Sequence, residues 1–330
     1  MNPRPSVACL GAGRMGRGIA VAFAYAGHAV TMIDVKARSP EQFARLEAEA
    51  LDEVGKTLAS LSQFGLLTDD DAKIVIARIS VVSANGGAAA LGRAGIVFEG
   101  VPELVELKRE VLAAASKSVG PDIIIASTTS TILVDDLSGA VEHPRRFLNV
   151  HWLNPAYLIP LVEISPGAAT DPTVIAQVKT LLGGIGKVPV VCAATPGFIV
   201  PRIQALAMNE AARMVEEGVA SAEEIDKAIR YGFGFRYAVL GLLEFIDWGG
   251  GDILFYASRY LEGALGSDRY RAPDIISDNM REGRIGLRTG SGFLDYSGLD
   301  VDAYRERRLA ALVDMLRHFG LAKPPVLDCD

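Results

Sequence analysis

The stretch that most restricts the fold is SVACLGAGRMG, residues 6–16, where a short apolar run enters a turn carrying Gly11, Gly13 and Gly16. IAVAFAYAG then reads as a helix ending at Gly27, and AVTMID reads as a second strand closing on Asp34. A glycine turn placed between a strand and a helix is the context in which this motif binds a dinucleotide. Gly11 permits the tight turn, Gly13 lets the backbone approach a pyrophosphate, and Gly16 lets the helix pack closely on the sheet. The helix N-terminus supplies free N–H groups and the positive end of its dipole. Met15 lies in that first turn and joins the glycines as an expected cofactor contact. Asp34 is placed to accept hydrogen bonds from a ribose diol, and its charge repels a 2′-phosphate, so NAD is expected over NADP. Lys36 and Arg38 soften that preference.

The chain continues as alternating helices and strands. Ser39, Pro40 and Gln42 predict a capped helix start, and Phe43, Leu46, Ala50, Val54, Leu58 and Leu61 fall on one stripe up to Gly65. Thr68 is expected to cap a shorter helix. ISVVS, AGIVFEG and DIIIAST read as strands, VPELVELKREVLAAASKSV as a crossover helix, residues 172–183 as another helix behind Asp171, and residues 188–193 as the last strand. Alternation of this kind predicts a doubly wound, mostly parallel sheet of α/β class. Glu103 and Lys108 fall just past the carboxyl end of a strand, where ligands of such sheets bind, although solvated charges would occupy the same places. The run STTST, Ser127 to Thr131, also follows a strand; its hydroxyls either cap the helix TILVDDL or reach a substrate oxygen. After Ala193 the breaker-rich TPGFIVP leads into a pattern that is helical almost throughout, with Ser221 and Glu224 read as a capping box. The expected division is a Rossmann-like domain over residues 1–194 and an all-α domain over 195–330. A helical domain this apolar is expected to pair with its own copy as a homodimer.

Chemistry concentrates in FLNVHWLNPAYLIPLVEI, residues 147–164, which holds His151 and Glu163 in two apolar strands joined by NPAYL. Consecutive strands tend to lie side by side, so the imidazole and the carboxylate can meet. A carboxylate beside a histidine sets its tautomer and stabilises the protonated ring, which a general base acting on an alcohol needs. A core histidine with an unrelated glutamate has the same spacing.

Composition narrows the partners. A net charge of −7 over 330 residues gives no reason to expect nucleic acid or an anionic membrane. Cys9, Cys192 and Cys329 are far apart, form no metal-spaced cluster and point to a reducing compartment. Arg14 and Arg17 interrupt the one stretch that imitates a signal peptide, and Pro189, Pro196 and Pro201 break the longest uncharged run. A cytoplasmic protein acting on a small molecule is expected, with no metal and no membrane span.

Taken together, GAGRMG, HWLNP, PLVEI, TPGFIV and REGRIGLRTGSGFLDY resemble the L-3-hydroxyacyl-CoA dehydrogenase family in order and spacing. The resemblance covers nearly the whole chain. It implies an NAD-binding first domain and a helical second domain that makes a dimer and helps close over the substrate. It implies that His151 and Glu163 are the catalytic pair and that Ser130 is the active-site serine. It also makes Glu103 and Lys108 cofactor contacts and puts Asn154 close to the nicotinamide. His151 would take the hydroxyl proton while C3 of the substrate gives its hydride to the nicotinamide, and Ser130 and Asn154 would hold the reacting oxygen.

Three departures stand out. Pro201 replaces the asparagine of the family's G-F-I-V-N-R segment, removing a donor whose loss costs on the order of a hundredfold in rate. Thr128 replaces an asparagine in the serine segment. GFGFRYAVLGLLEF, with Arg236, looks more like the λ-crystallin/L-gulonate 3-dehydrogenase branch and the carnitine dehydrogenases, which oxidise free hydroxy acids; PAYLIPLVEI leans the same way. Between residues 37 and 72, where fatty-acid members are lysine-rich, Lys56 stands alone. Three readings follow: a 3-hydroxyacyl-CoA substrate such as 3-hydroxybutyryl-CoA, in fatty acid metabolism; a free 3-hydroxy acid gripped by Arg236, whose other reading is a structural ion pair; or a cofactor-binding structural protein of the crystallin kind.

Overall fold

In a computed structural model, which describes residues 4–327, the glycine turn joins β1 (Val7–Leu10) to α1 (Arg14–Tyr25), and β2 (Val30–Ile33) follows. The chain then runs through α2 (Pro40–Gln63), α3 (Asp69–Ile76), β3 (Ile79–Val82), α4 (Ala84–Leu91) and β4 (Ile96–Glu99). It continues with α5 (Val105–Ser116), β5 (Ile124–Ser127), α6 (Val134–Ser138), β6 (Phe147–Trp152), β7 (Leu161–Pro166), α7 (Pro172–Gly184) and β8 (Val188–Val191). The strands form one sheet in the order β3-β2-β1-β4-β5-β6-β7-β8. Every pairing is parallel except β6 with β7. The expected doubly wound, mostly parallel sheet is therefore present.

Helix starts follow the local chemistry. Ser39 and Gln42 form a reciprocal capping box at α2, and Thr68 with Asp71 does the same at α3. Ala50, Val54, Leu58 and Leu61 bury the α2 stripe. Two starts differ from expectation. The crossover helix begins at Val105 rather than at Val101: Pro102 disfavours helical geometry at Val101, and Leu104 is extended (φ −124°, ψ 116°) at the N-cap. At Ser221 only half of the capping box forms: the hydroxyl accepts from Glu224 N at 3.3 Å, while the Glu224 carboxylate turns to Lys227.

Alternation along the strands splits the core between the two faces of the sheet. Val7, Cys9, Phe98, Ala126, Leu148, Val150, Trp152, Val162 and Ile164 pack with α1, α2 and α7. Ala8, Leu10, Val97, Ile125 and Phe147 pack on the other face with α4, α5 and α6. By the same alternation, Glu99, Ser127, Asn149, His151, Glu163 and Ser165 belong to that second face, and all six are buried.

The chain divides into two compact units, Met1–Met208 and Asn209–Asp330. Helix α8 (Val200–Glu216) runs across that division. The second unit is helical, with helices Ala222–Ala228, Leu242–Gly249, Gly251–Leu265, Asp274–Arg281 and Val301–His318 and a π-helical turn over Ile229–Gly234. Cys9 is buried, which pushes its thiol up to about 12, and Cys192 is half-buried. Cys329 lies outside the described residues. Among those residues no helix is long and apolar enough to cross a membrane.

Candidate active site

His151 and Glu163 are register partners in the single antiparallel pair, on one face of the sheet. Directly opposed residues bring their Cβ atoms to about 5 Å, and here His151 Nδ1 meets Glu163 Oε2 at 2.8 Å. The other carboxylate oxygen, Oε1, accepts from Ile199 N at 3.0 Å and Val200 N at 2.8 Å, the amides at the start of α8. Burial raises the Glu163 pKa, but the bonds from His151, Val200 and Ile199 outweigh it and leave the carboxyl below its ordinary value. The carboxylate thus stays ionised at neutral pH while fixing the ring. His151 Nε2 makes no hydrogen bond among the described residues, so that nitrogen is available to a ligand. Phe198 lies against the ring, with centroids 5.5 Å apart, and reaches it from a left-handed backbone (φ +46°) that non-glycine residues seldom adopt.

Pro201 takes its place here without strain. It is the second residue of α8, in the first turn, where a missing N–H leaves no helical bond unmade. The two amides that precede it are the ones Glu163 uses.

Ser127 lies opposite Asn149 in parallel register, so the polar run STTST leaves the sheet at the carboxyl end of β6, alongside His151. The run does not cap α6: the helix begins at Val134 with no side-chain cap. Its donors converge instead on Glu103. Thr129 donates its hydroxyl to Oε1, the Ser130 and Thr131 amides donate at 3.1 Å, and Thr131 Oγ1 donates at 3.0 Å. Burial raises the Glu103 pKa, yet the Thr129 hydroxyl and the Lys108 ammonium more than compensate, so this carboxyl too sits below its usual range. Ser130 keeps its hydroxyl free of partners among the described residues.

Of the two charges read as either ligand contacts or solvated groups, Lys108 is neither exposed nor solvated. It is 1% exposed, and its ammonium reaches Glu99 Oε1 at 2.9 Å, Val101 O at 3.2 Å and Glu103 Oε2 at 3.4 Å. Glu99 was missed by sequence reasoning, although an acidic residue ending the apolar strand IVFE is the kind of buried charge that needs a partner.

The nucleotide turn fits a dinucleotide on its own geometry. Gly11 has φ +104°, which an L side chain rarely adopts. A Cβ at Gly16 would overlap the Gly11 carbonyl, whereas one at Gly13 would meet nothing within 4 Å, leaving open space where the pyrophosphate would lie. Gly13 caps α1 without a side chain, so the first-turn amides are free for an anion. Met15, in that turn, packs against the core of the first face. A cavity of about 230 Å³ opens here, lined by Gly11, Gly13, Asp34, Lys36, Arg38 and Gly100. Asp34 is buried at the end of β2 and holds Arg38 Nε at 2.6 Å.

Asn154 is exposed in the β6–β7 loop and lines a separate cavity of about 350 Å³ with Arg14, Arg17, Thr57 and Tyr157. That loop is held from beneath by Lys187, whose ammonium donates to Ala156 O at 2.7 Å and Ile159 O at 2.8 Å. Arg236 belongs to the second unit. It is exposed, makes no ion pair among the described residues, and lies 4.4 Å from the centre of the Phe245 ring.

Comparison with known proteins adds the family. Residues 6–195 match the 3-hydroxyacyl-CoA dehydrogenase NAD binding domain, and residues 197–296 match the C-terminal domain of the same enzymes. The chain is 30% identical over 316 residues to 5-formyl-3-hydroxy-2-methylpyridine 4-carboxylate 5-dehydrogenase of Mesorhizobium japonicum, covering 94% of this chain and 97% of that one. It is 32% identical to a probable 3-hydroxybutyryl-CoA dehydrogenase of Bacillus subtilis, covering 87% and 95%. Among solved structures, a 3-hydroxyacyl-CoA dehydrogenase from Archaeoglobus fulgidus superposes with a TM-score of 0.75 at 31% identity, over 96% of this chain and all of the other.

Proposed function

Since the chain belongs to the 3-hydroxyacyl-CoA dehydrogenase family and carries that family's NAD-binding domain, we propose that it interconverts an L-3-hydroxyacyl group and its 3-keto form, with His151 as the base. The observation that carries this reading is the 2.8 Å bond from His151 Nδ1 to a buried, ionised Glu163. With Nδ1–H donated to the carboxylate, Nε2 holds the lone pair that takes the proton of the 3-hydroxyl. Glu163 then offsets the positive charge on the ring. Ser130, at the same edge of the sheet, holds the reacting oxygen through its free hydroxyl. Gly11, Gly13, Met15, Gly16, Asp34 and Glu103 form the cofactor side of the site, with Lys108 acting from behind Glu103 rather than by direct contact, and Asn154 stands apart from them in its own cavity. Bound NAD supplies the hydride acceptor.

A CoA thioester such as 3-hydroxybutyryl-CoA is the substrate favoured by the family as a whole. A free hydroxy acid has its own support: Lys56, the one lysine of α2, is tied to Asp52 at 2.7 Å, Arg236 is left without a carboxylate partner among the described residues, and the Mesorhizobium relative is named for a pyridine carboxylate. NADH oxidation with acetoacetyl-CoA, run beside acetoacetate at matched concentration, separates the two. Consumption only with the thioester supports the acyl-CoA reading. A thioester no better than the free acid removes it, and no NADH consumption with either, together with no reduction of NAD by a panel of free hydroxy acids, removes the dehydrogenase reading.

The same proposal includes a homodimer and a cytoplasmic location. In helix Gly251–Leu265, Ile253, Tyr256 and Tyr260 are each more than half exposed at helical spacing, an apolar stripe of the kind a second copy covers. Among the described residues the thiols of Cys9 and Cys192 are unpaired, as a reducing compartment keeps them. Sedimentation at micromolar concentration tests the dimer.

A further inference from the structure

We propose that Glu99 is a positioning residue for the nicotinamide end of the cofactor site, acting through Lys108 on Glu103. This rests on the reading of Glu103 as a cofactor contact. Glu99 ends β4 with 0% of its surface exposed, and both of its carboxylate oxygens are fully engaged. Oε1 accepts from Val101 N at 2.8 Å and Lys108 Nζ at 2.9 Å; Oε2 accepts from Ser127 Oγ at 2.6 Å and again from Lys108 at 3.2 Å. Lys108 therefore sits between two carboxylates, one wholly buried and one at the rim, the second being Glu103 at 3.4 Å. Glu103 is in turn stretched between Lys108, on its Oε2, and the amides of Ser130 and Thr131, on its Oε1.

The device is a division of one buried charge. Glu99 satisfies most of the Lys108 ammonium, so Glu103 is held only lightly on that side and stays with the loop that carries Ser130. Without the Glu99 charge, a 1%-exposed ammonium has Glu103 as its remaining counter-charge. An uncompensated charge at that depth is costly. The Lys108–Glu103 contact tightens and Glu103 is drawn off the loop, while in Glu99→Gln the remaining amide oxygen still accepts from Val101 N and holds that turn. Gly11, Gly13, Gly16 and Asp34 make none of these bonds, and the turn of Gly100, Val101 and Pro102 that lines their cavity keeps its acceptor, so the damage falls at one end of the dinucleotide site.

The test is calorimetric titration of the full-length protein with NADH and with ADP, which fills only the adenine, ribose and pyrophosphate portion. In Glu99→Gln, NADH is expected to weaken by about tenfold or more, as loss of a charged hydrogen bond does, with ADP unchanged within about twofold. Glu99→Asp, which keeps the charge on a side chain one methylene shorter, is expected to weaken NADH in the same direction but less, and it carries the test if Glu99→Gln does not fold. Equal losses for NADH and ADP would show a role in the fold alone and overturn the proposal, as would NADH affinity unchanged in the variants. A wild-type protein that binds ADP but not NADH would overturn the assignment of Glu103 and this proposal with it, and is told apart because it needs no variant.

Discussion

Glu163 is bound at both ends of its carboxylate: one oxygen meets His151 Nδ1 at 2.8 Å and the other accepts the Ile199 and Val200 amides at the start of α8. One side chain therefore ties the ring on β6 to the helix that follows the sheet.

Glu163→Gln tests this directly. The amide oxygen can keep the two α8 amides, but the amide nitrogen is then a donor facing His151 Nδ1. The ring must accept there, so its proton moves to Nε2, which can no longer act as a base. We expect kcat to fall by about 10²–10⁴-fold with NADH affinity preserved, read by steady-state NADH oxidation and fluorescence titration. His151→Ala should lose turnover to the same degree and also keep NADH. Turnover that survives either change would remove the pair from the chemistry.

Gly16→Ala puts a methyl group into the Gly11 carbonyl. Neither backbone can yield without opening the turn, so a destabilisation of about 1–3 kcal/mol is expected, together with loss of NADH binding. Thermal melting and NADH titration check the two effects separately; wild-type NADH affinity in this variant would contradict the cradle.

Asp171 caps α7 through Thr173 N and pairs with Arg145, which holds its carboxyl down at about 2. A carboxyl whose pKa is depressed by folding stabilises the fold above its unfolded pKa and loses that contribution as pH falls through the folded value. Glu163 and Glu103 are shifted in the same direction. Stability is therefore expected to decline between about pH 4 and pH 2, and Asp171→Asn should flatten that decline. Urea melts across the range measure it; an unchanged slope in the variant would count against the cap.

Lys187→Met removes the donor to two carbonyls of the β6–β7 loop and the cation 5.8 Å from the Trp152 ring. Carbonyls left without a partner should destabilise the protein by about 1–3 kcal/mol. Chemical denaturation reports the loss, and a variant as stable as wild type would show that the loop does not depend on this latch.

Much of the site was legible before the structure. The strand, glycine turn and helix around Gly11, the capping box at Ser39, the cap at Thr68, and the neighbouring strands that bring His151 to Glu163 all depend on spacing within one or two adjacent elements. The surroundings of Lys108 were not. A lysine on a predicted helix start is compatible with solvent or with burial, and only the position of β4 beside β5 shows that Glu99 and Ser127 lie beneath it. The second partner of Glu163 was equally hidden, since Ile199 and Val200 offer backbone amides, which no residue type announces. The crossover helix began four residues late, at Val105 behind an extended Leu104, although Pro102 was a local sign that no helix starts at Val101.

By itself, then, the sequence determined which segments are strands and helices, where the dinucleotide turn lies, and which imidazole and carboxylate share a strand pair, because periodicity, capping and turn chemistry act over a few residues. The tertiary structure decided which charges are buried and what satisfies them. Desolvation is set by neighbours that the sheet brings together from distant parts of the chain, and a buried charge is tolerable only where those neighbours supply its partners.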